Sequence, residues 1–271
     1  MNGFLLRRRY LISFSGGRTS AYMLKRIIDA HGGSLPDYVR VAFANTGKER
    51  PETLDFVEEC SLRWGVPITW VERFPDGARV VTHETASRNG EPFAAWIEKR
   101  KYLPNPVARF CTVEMKIRGI RDWLRTEGWD DESYMMVIGF RADEPQRVAK
   151  WAKPNKEGKW GRIAPLHDMG IGKEAIMEFW SKQDFDLRLA QHEGNCDLCF
   201  LKGASKKIGM IRDTPQMAVW WLAQEAKTGG TFRSDSSYAD LSLRAGQPSL
   251  LDDEEDIDVR DYTCETDMCI E

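Results

Sequence analysis

The chain alternates short apolar runs with longer segments of helical periodicity. The apolar runs, each typical of a buried strand, are residues 10–14, 39–44, 68–71 and 135–138. The amphipathic segments, in which apolar residues recur every three or four positions, are residues 20–28, 52–64, 116–125 and 173–181. Strands that alternate with helices predict an α/β fold, with a twisted parallel sheet covered by helices on both faces. Ligands of such folds bind at the carboxyl ends of the strands.

A glycine-rich loop follows the first predicted strand. It consists of Ser15, Gly16, Gly17, Arg18, Thr19 and Ser20. Adjacent glycines let backbone N–H groups face a bound anion, the hydroxyl groups add donors, and the N-terminus of the next helix adds positive potential. These features favour a phosphate chain as ligand. The loop lacks Walker A spacing and the dinucleotide fingerprint, and by itself it fits an ordinary strand-to-helix turn equally well.

Four further blocks follow in order along the chain. They are Asn45-Thr46-Gly47 with Pro51 opening a helix, Arg109-Phe110-Cys111 with Lys116, Ile138-Gly139-Phe140-Arg141-Ala142-Asp143-Glu144 with Arg147, and Pro165-Leu166. With the glycine-rich loop, these blocks resemble the phosphoadenosine phosphosulfate (PAPS) reductase family of the PP-loop ATP pyrophosphatase-like superfamily. The resemblance runs through residues 10–205.

The resemblance implies an adenine nucleotide alpha hydrolase-like fold and an enzyme that binds ATP, or a PAPS-like nucleotide, with Mg²⁺. The nucleotide would lie on residues 15–20 and on Asn45, Thr46 and Gly47. The groups that would neutralise phosphate or sulfate charge are Lys116, Arg141 and Arg147, and Glu144 would orient an arginine or a metal ion. Two positions depart from the pattern of many ATP-cleaving relatives, because Thr19 and Asn45 stand where aspartate is common.

The cysteines point to metal or redox chemistry. Cys196 and Cys199 form a Cys-x-x-Cys pair, and two thiolates alone do not complete a metal site. The resemblance supplies Cys111 as a third ligand, which implies a [4Fe–4S] cluster with one open iron position. Zinc completed by His192, a redox dithiol and buried thiols without a role remain open, since ligand softness does not separate zinc from iron.

Three functions follow from these features. The leading hypothesis is ATP-dependent adenylation followed by thiolation, with nucleic acid as a candidate acceptor and a thiol or sulfide as the donor. The first alternative is reduction of PAPS or its unphosphorylated analogue by a tail thiol, Cys264 or Cys269. The second is a nucleotide-binding subunit without catalysis.

Charge is distributed unevenly along the 271 residues. The formal net charge is −3, but the segment from residue 231 onward holds twelve Asp or Glu against three Arg, so it carries −9 and the remainder +6. A positive body suits phosphate-rich ligands. The apolar run near the N-terminus is too short for a signal peptide or a membrane span, so we expect a cytoplasmic protein without membrane contact.

The predicted organisation is a nucleotide-binding domain at residues 1–205, a helical appendage at 206–232 and an acidic, mobile tail at 233–271. Residues 73–110, rich in proline, arginine and aromatic residues, are predicted to be irregular and to cover the site. We expect Trp220 and Trp221 in the appendage to be packing residues.

Overall fold

A six-stranded sheet forms the centre of the protein. The structure is a computed structural model that describes residues 3–151, 161–190 and 193–247. The strands are β1 (Tyr10–Phe14), β2 (Val39–Ala44), β3 (Thr69–Phe74), β4 (Gly77–Val81), β5 (Met135–Val137) and β6 (Gly161–Ile163). Their order across the sheet is β4-β3-β2-β1-β5-β6. All neighbours pair in parallel except β4, which returns antiparallel beside β3 through a tight turn.

Helices connect these strands and extend beyond them. They are α1 (Arg18–Ala30), α2 (Pro51–Trp64), α3 (Glu91–Arg100), a π-helix (Cys111–Arg118) continued by α4 (Gly119–Thr126), α5 (Pro145–Trp151), α6 (Pro165–Asp168), α7 (Lys173–Trp180), α8 (Ala204–Asp213), α9 (Gln216–Thr228) and α10 (Tyr238–Ala245). Within the described part of the chain, each helix is too short or too polar to cross a lipid bilayer.

Side chains of the strands alternate between two apolar clusters, one on each face of the sheet. Ile12 and Phe14 of β1 pack with α1, α2 and α7 on one face, whereas Leu11 packs with α4 on the other. This is the two-residue period expected of a strand buried on both sides. The predicted α/β fold with helices on both faces is confirmed, although the antiparallel edge strand β4 was not predicted.

The direction of chain progression across the sheet reverses beside β1. The chain passes from β1 to β2 and β3 on one side, and then returns to place β5 on the other side of β1. A crevice opens at such a reversal because the loops after the two central strands lead in opposite directions. The glycine-rich loop follows β1, and residues 138–144 follow β5. The fold therefore places both predicted blocks at this crevice.

A third apolar cluster joins α3, the start of the π-helix and helices α8 to α10. Trp221 and Tyr238 are almost fully buried there and stack with their ring centroids 5.1 Å apart. Trp220 packs against the same cluster. The expectation that both tryptophans are packing residues is confirmed.

Two predictions about irregular segments were wrong in part. Residues 73–110 contain β4 and α3, because Phe93, Trp96 and Ile97 supply an apolar helix face that only the third cluster covers. The predicted tail begins with α10, which a capping box of Ser237 and Asp240 starts. The acidic run at 252–258, Cys264 and Cys269 lie outside the described residues, and the domain boundaries stay a prediction.

A buried lysine in the third cluster makes the stability of the protein depend on pH. Lys207 of α8 is 1 % exposed, and its Nζ lies 5.3 Å from the centroid of the Tyr238 ring. Burial lowers the pKa of Lys207 to about 8. In the unfolded chain a lysine titrates near pH 10.4. Between these values the unfolded state binds more protons, so the contribution of Lys207 to the free energy of unfolding rises with pH.

We expect Lys207→Met to stabilise the protein at pH 7 by on the order of 3 kcal/mol, because it removes the cost of a buried ammonium group. This advantage should shrink as the pH rises from 8 to 10. Urea unfolding of wild type and Lys207→Met across this pH range measures the difference in the free energy of unfolding. The control is Lys206→Met, because Lys206 is the half-buried neighbour on the same helix. An identical pH dependence in wild type and Lys207→Met would contradict the prediction.

Candidate functional site

The glycine-rich loop turns the chain sharply from β1 into α1. Gly16 has a φ of +81°, and a Cβ at this position would lie 2.7 Å from Thr53 Cγ2 on α2. Only glycine fits both the backbone conformation and the available space. Gly17 is the N-cap residue of α1. The N–H groups of the first helical turn follow it directly, which is the arrangement that attracts anions.

Hydroxyl groups of the loop hold its shape. Ser20, which is fully buried, accepts hydrogen bonds from the N–H and the hydroxyl of Ser15 at 3.2 and 3.0 Å. The Ser20 hydroxyl donates to the carbonyl oxygen of Gly17 at 2.9 Å. Thr19 is also buried. Ser20 therefore uses its proton inside the loop, and a direct hydroxyl contact from Ser20 to a ligand is not supported.

The Arg18 side chain binds the segment after α7, and its contact with a nucleotide stays a prediction. Its guanidinium binds both carboxylate oxygens of Asp186, at 2.7 and 2.9 Å. It also donates to the carbonyl oxygens of Leu187 and Leu189. The Arg18 side chain thus anchors the segment after α7 to the start of α1, and only its backbone belongs to the loop.

Asn45 forms a buried polar cluster at the end of β2. Its Nδ2 donates to Glu72 Oε1 at 2.6 Å and to the carbonyl oxygen of Ser87 at 2.9 Å, and its Oδ1 accepts from the N–H of Gly47. Glu72 also accepts from the N–H and hydroxyl of Ser87. An aspartate at position 45 would oppose the Glu72 carboxylate, so an amide donor suits this chain.

Gly47 allows two loops to approach closely. Its φ is +77°, and a Cβ there would lie 3.0 Å from Gly90 Cα at the start of α3. The N–H of Gly90 donates to the carbonyl oxygen of Gly47 at 2.8 Å. Gly47 therefore brings the start of α3 against the loop after β2, and the covering role of residues 73–110 stays a prediction.

Glu49 is a buried carboxylate on which several predicted site residues converge. It accepts hydrogen bonds from the N–H of Thr46 at 2.8 Å and from the Thr46 hydroxyl. Lys116 Nζ lies 3.5 Å from Glu49 Oε1, and Cys196 Sγ donates to the same oxygen at 3.8 Å. The arrangement joins a thiol, a lysine and a carboxylate. Sequence reasoning missed Glu49, because one glutamate in a charged stretch gives no signal of its burial.

The Cys-x-x-Cys segment lies against the loop after β2. The backbone carbonyl oxygen of Asn195 accepts a hydrogen bond from the N–H of Arg50 at 2.8 Å. The side-chain Nδ2 of Asn195 donates to the carbonyl oxygen of Ser15 at 2.8 Å. Asn195 is buried, and its Oδ1 has no hydrogen-bond partner among the described residues. A buried acceptor without a donor is costly, and a ligand or a water can supply one.

Lys48 and Asp197 make a second link between the same two segments. Lys48 Nζ lies 2.7 Å from Asp197 Oδ2, and both residues are buried. Burial raises the pKa of Asp197, although the Lys48 charge opposes this shift. Trp221 Nε1 donates to Asp197 Oδ1 at 2.9 Å. The pair therefore connects the candidate site to the third apolar cluster.

The block after β5 adjoins the glycine-rich loop. A Cβ at Gly139 would lie 3.5 Å from Ser20 Cα, which places the two loops in van der Waals contact. Glu144 accepts from the N–H of Arg141 at 3.0 Å and pairs with the guanidinium groups of Arg141 and Arg147. Burial tends to raise the pKa of Asp143, but the hydrogen bond and charge of Arg141 outweigh it and lower that pKa.

Lys116 lies on the π-helix, a rare element that is frequent at functional sites. The predicted charge-neutralising residues thus come from the π-helix, which carries Lys116, and from the segment after β5, which carries Arg141 in its loop and Arg147 on α5. Glu144 contacts both arginines, and its orienting role stays a prediction. Whether these groups contact a nucleotide stays a prediction.

The three cysteines do not compose a metal centre in the described structure. Among residues 3–151, 161–190 and 193–247, no three His, Cys, Asp or Glu side chains are grouped to hold a metal ion. Cys199 is buried, and Cys111 packs against the third apolar cluster. The [4Fe–4S] ligand set of Cys111, Cys196 and Cys199 therefore stays a prediction, and no chemical step below depends on it. His192, the alternative zinc ligand, lies outside the described residues.

Comparisons with solved structures return proteins of low sequence identity. The U34-tRNA thiolase NcsA from Methanococcus maripaludis, solved with its [4Fe-4S] cluster, is 13% identical, with a TM-score of 0.45 over 87% of this chain and 80% of its own. NMN synthetase from Francisella tularensis is 10% identical, with a TM-score of 0.43 over 88% and 84%. At these scores neither structure informs on the chemistry of this chain.

Sequence comparison gives a firmer result. An uncharacterized nin region protein, ORF290, of Escherichia phage lambda is 32% identical over 213 residues, which are 74% of this chain and 68% of that protein. The profile of the phosphoadenosine phosphosulfate reductase domain matches residues 9–187, more than half of the chain. This match covers the glycine-rich loop, the loop after β2, the π-helix and the block after β5. The chain belongs to the phosphoadenosine phosphosulfate reductase domain family.

Proposed function

We propose that this protein is an enzyme that binds ATP, or a related adenine nucleotide, and uses it to transfer sulfur to an acceptor. The observation that carries the proposal is the meeting of three parts at one crevice. The loop after β1 contacts the arginine-bearing loop after β5 through Ser20 and Gly139, and its Ser15 carbonyl oxygen accepts a hydrogen bond from Asn195. Asn195 immediately precedes Cys196, which with Lys116 and Glu49 forms the group beside Thr46.

The chemistry would proceed in two displacements. An acceptor oxygen attacks the α-phosphorus of ATP, the bond to the bridging oxygen breaks, and pyrophosphate leaves. A hydrosulfide-level sulfur donor then attacks the acceptor atom that carries the adenylyl group, and AMP leaves with the original oxygen. Both steps depend on positioning and on stabilising charge that develops on phosphate oxygens.

The residues of the crevice have separate proposed roles. The N–H groups at the start of α1 hold a phosphate group, and Arg141 and Arg147 neutralise its charge. Glu49 accepts the proton of the sulfur nucleophile. The ammonium group of Lys116 stabilises the negative charge that the sulfur then carries. The Cys196 thiol, whose Sγ donates to Glu49 Oε1, lies beside the carboxylate that is proposed to accept this proton. Mg²⁺ would be held mostly by the nucleotide phosphates, with Asp143 as an ionised carboxylate beside them.

Nucleotide binding is tested by Gly17→Val. Gly17 has φ −99° and ψ 163°, an extended conformation that valine adopts readily, so the variant should fold. The bulky side chain should obstruct the approach of a phosphate group and weaken ATP binding at least about tenfold. Titration calorimetry with ATP and PAPS measures this, with Gly209→Val on α8 as the matched control. Unchanged affinity in Gly17→Val, with an intact circular dichroism spectrum, would refute the phosphate site.

The role of Glu49 is tested by Glu49→Gln, which keeps the shape of the side chain and removes its charge. We expect turnover to fall by on the order of 100-fold, because a glutamine cannot accept the proton. Glu59→Gln on α2, where the glutamate pairs with Arg63, is the control that should retain turnover. Equal turnover in wild type and Glu49→Gln would remove Glu49 from the mechanism.

The reductase alternative is tested by truncation. A cut after residue 231 would remove α10, whose Tyr238 and Leu241 belong to the third cluster. A cut after Gln247 leaves every described residue in place and removes Cys264 and Cys269. We expect the shortened protein to keep ATP-dependent pyrophosphate release in the presence of hydrosulfide and mixed single-stranded nucleic acid. Loss of turnover with intact nucleotide binding, together with sulfite release from PAPS by the full chain, would favour the reductase.

A further inference from the structure

A cation-rich surface extends from the π-helix across neighbouring elements. We call it the basic face. Its members come from β3, the end of α3, the π-helix and α4, and they are Arg73, Lys99, Arg100, Lys101, Arg118, Arg121 and Arg125. Arg118 lies two residues from Lys116 on the same helix. The π-helix therefore contributes one residue to the basic face and another to the candidate site.

One buried carboxylate holds three of these arginines together. Glu114 has a side chain that is 3 % exposed. It pairs with Arg73 at 2.9 Å, with Arg118 at 2.7 Å and with Arg100. One buried carboxylate thus gathers three guanidinium groups, and two of them, Arg100 and Arg118, are each about one-third exposed to solvent.

A second carboxylate extends the network along α4. Asp122 pairs with Arg73 at 2.8 Å, and its other oxygen lies 3.9 Å from Arg121 and 3.8 Å from Arg125. Arg125 also pairs with Asp131 at 3.0 Å. Five arginines of the basic face thus pair with Glu114, Asp122 and Asp131, and the two lysines, Lys99 and Lys101, are exposed beside Arg100.

An exposed aromatic residue stands beside this charge. Tyr102 follows Lys101 directly and is 41 % exposed. The Tyr102 ring packs nearly perpendicular to the Phe110 ring, with centroids 5.5 Å apart. This contact holds the tyrosine ring in place while part of it remains exposed to solvent. Phe110 immediately precedes the π-helix that carries Lys116. The Tyr102 ring therefore packs against the N-cap residue of the helix bearing Lys116.

We propose that the basic face binds a single-stranded nucleic acid, whose phosphates contact Lys99, Lys101 and the arginines while a base stacks on Tyr102. Clustered arginines and lysines recognise a phosphodiester backbone, and an exposed aromatic ring favours unpaired bases over a duplex. This inference rests on the proposed function and deepens it, because it names single-stranded nucleic acid as the class of acceptor presented to the crevice.

The test is fluorescence anisotropy with labelled single-stranded RNA and DNA of one mixed sequence, measured between 50 and about 200 mM salt. Lys99→Glu with Lys101→Glu should weaken binding at least about tenfold and reduce the salt slope by about 1.4, since two phosphate contacts are lost. The control, Arg212→Glu with Arg244→Glu, makes the same change in charge at exposed positions of α8 and α10 and should bind like wild type. Tyr102→Ala should weaken binding about tenfold, and Tyr102→Phe should not.

Three results would overturn the inference. The first is equal affinity of the wild type and the Lys99→Glu, Lys101→Glu double variant for the strand. The second is binding of the matching duplex as tightly as the single strand. The third is displacement of the strand by polyglutamate at equal charge concentration. Calorimetry with ATP on the same proteins separates this inference from the proposed function. A wild-type protein that binds ATP but not the strand would refute the basic face alone, whereas a wild-type protein that binds the strand but not ATP would refute the nucleotide site alone. The relative affinities for RNA and DNA identify the preferred polymer.

Discussion

The buried ion pair of Lys48 and Asp197 is the interaction on which the composite site depends. Each charge would be expensive to bury alone, and the two become tolerable only because they meet at 2.7 Å and Trp221 supplies a further hydrogen bond. Losing one partner would leave the other as an uncompensated buried charge. The pair thus forces the loop after β2 and the Cys-x-x-Cys segment to form together.

This coupling gives the third apolar cluster a role beyond packing. Asp197 receives its hydrogen bond from Trp221, and Trp221 is buried against Phe232 and Tyr238. Asn195, two positions before Asp197, donates to the carbonyl oxygen of Ser15 in the glycine-rich loop. The C-terminal helices therefore stabilise the geometry of the crevice, although they contribute none of the groups proposed to meet a nucleotide.

The local sequence pattern was sufficient to predict much of the sheet and the loops at its carboxyl end. Apolar runs identified β1 and β2, and the glycines at 16 and 17 located the turn into α1. Contacts between distant residues were not predictable in the same way. Glu49 and Glu72 look like ordinary surface glutamates in the sequence, and only the fold brings them against Cys196 and Asn45. The ion pair of Arg18 was unpredictable for the same reason, since its partner Asp186 lies 168 positions away.

The hydrogen bond between Asn45 and Glu72 has a consequence for how this family can vary. The amide of Asn45 satisfies a buried carboxylate, so the residues at positions 45 and 72 form one chemical unit. A relative that carries aspartate at the end of β2 would place two buried carboxylates together if it also kept glutamate on β3. Substitutions at these two positions should therefore occur in pairs during divergence, and either one alone should pass through a less stable intermediate.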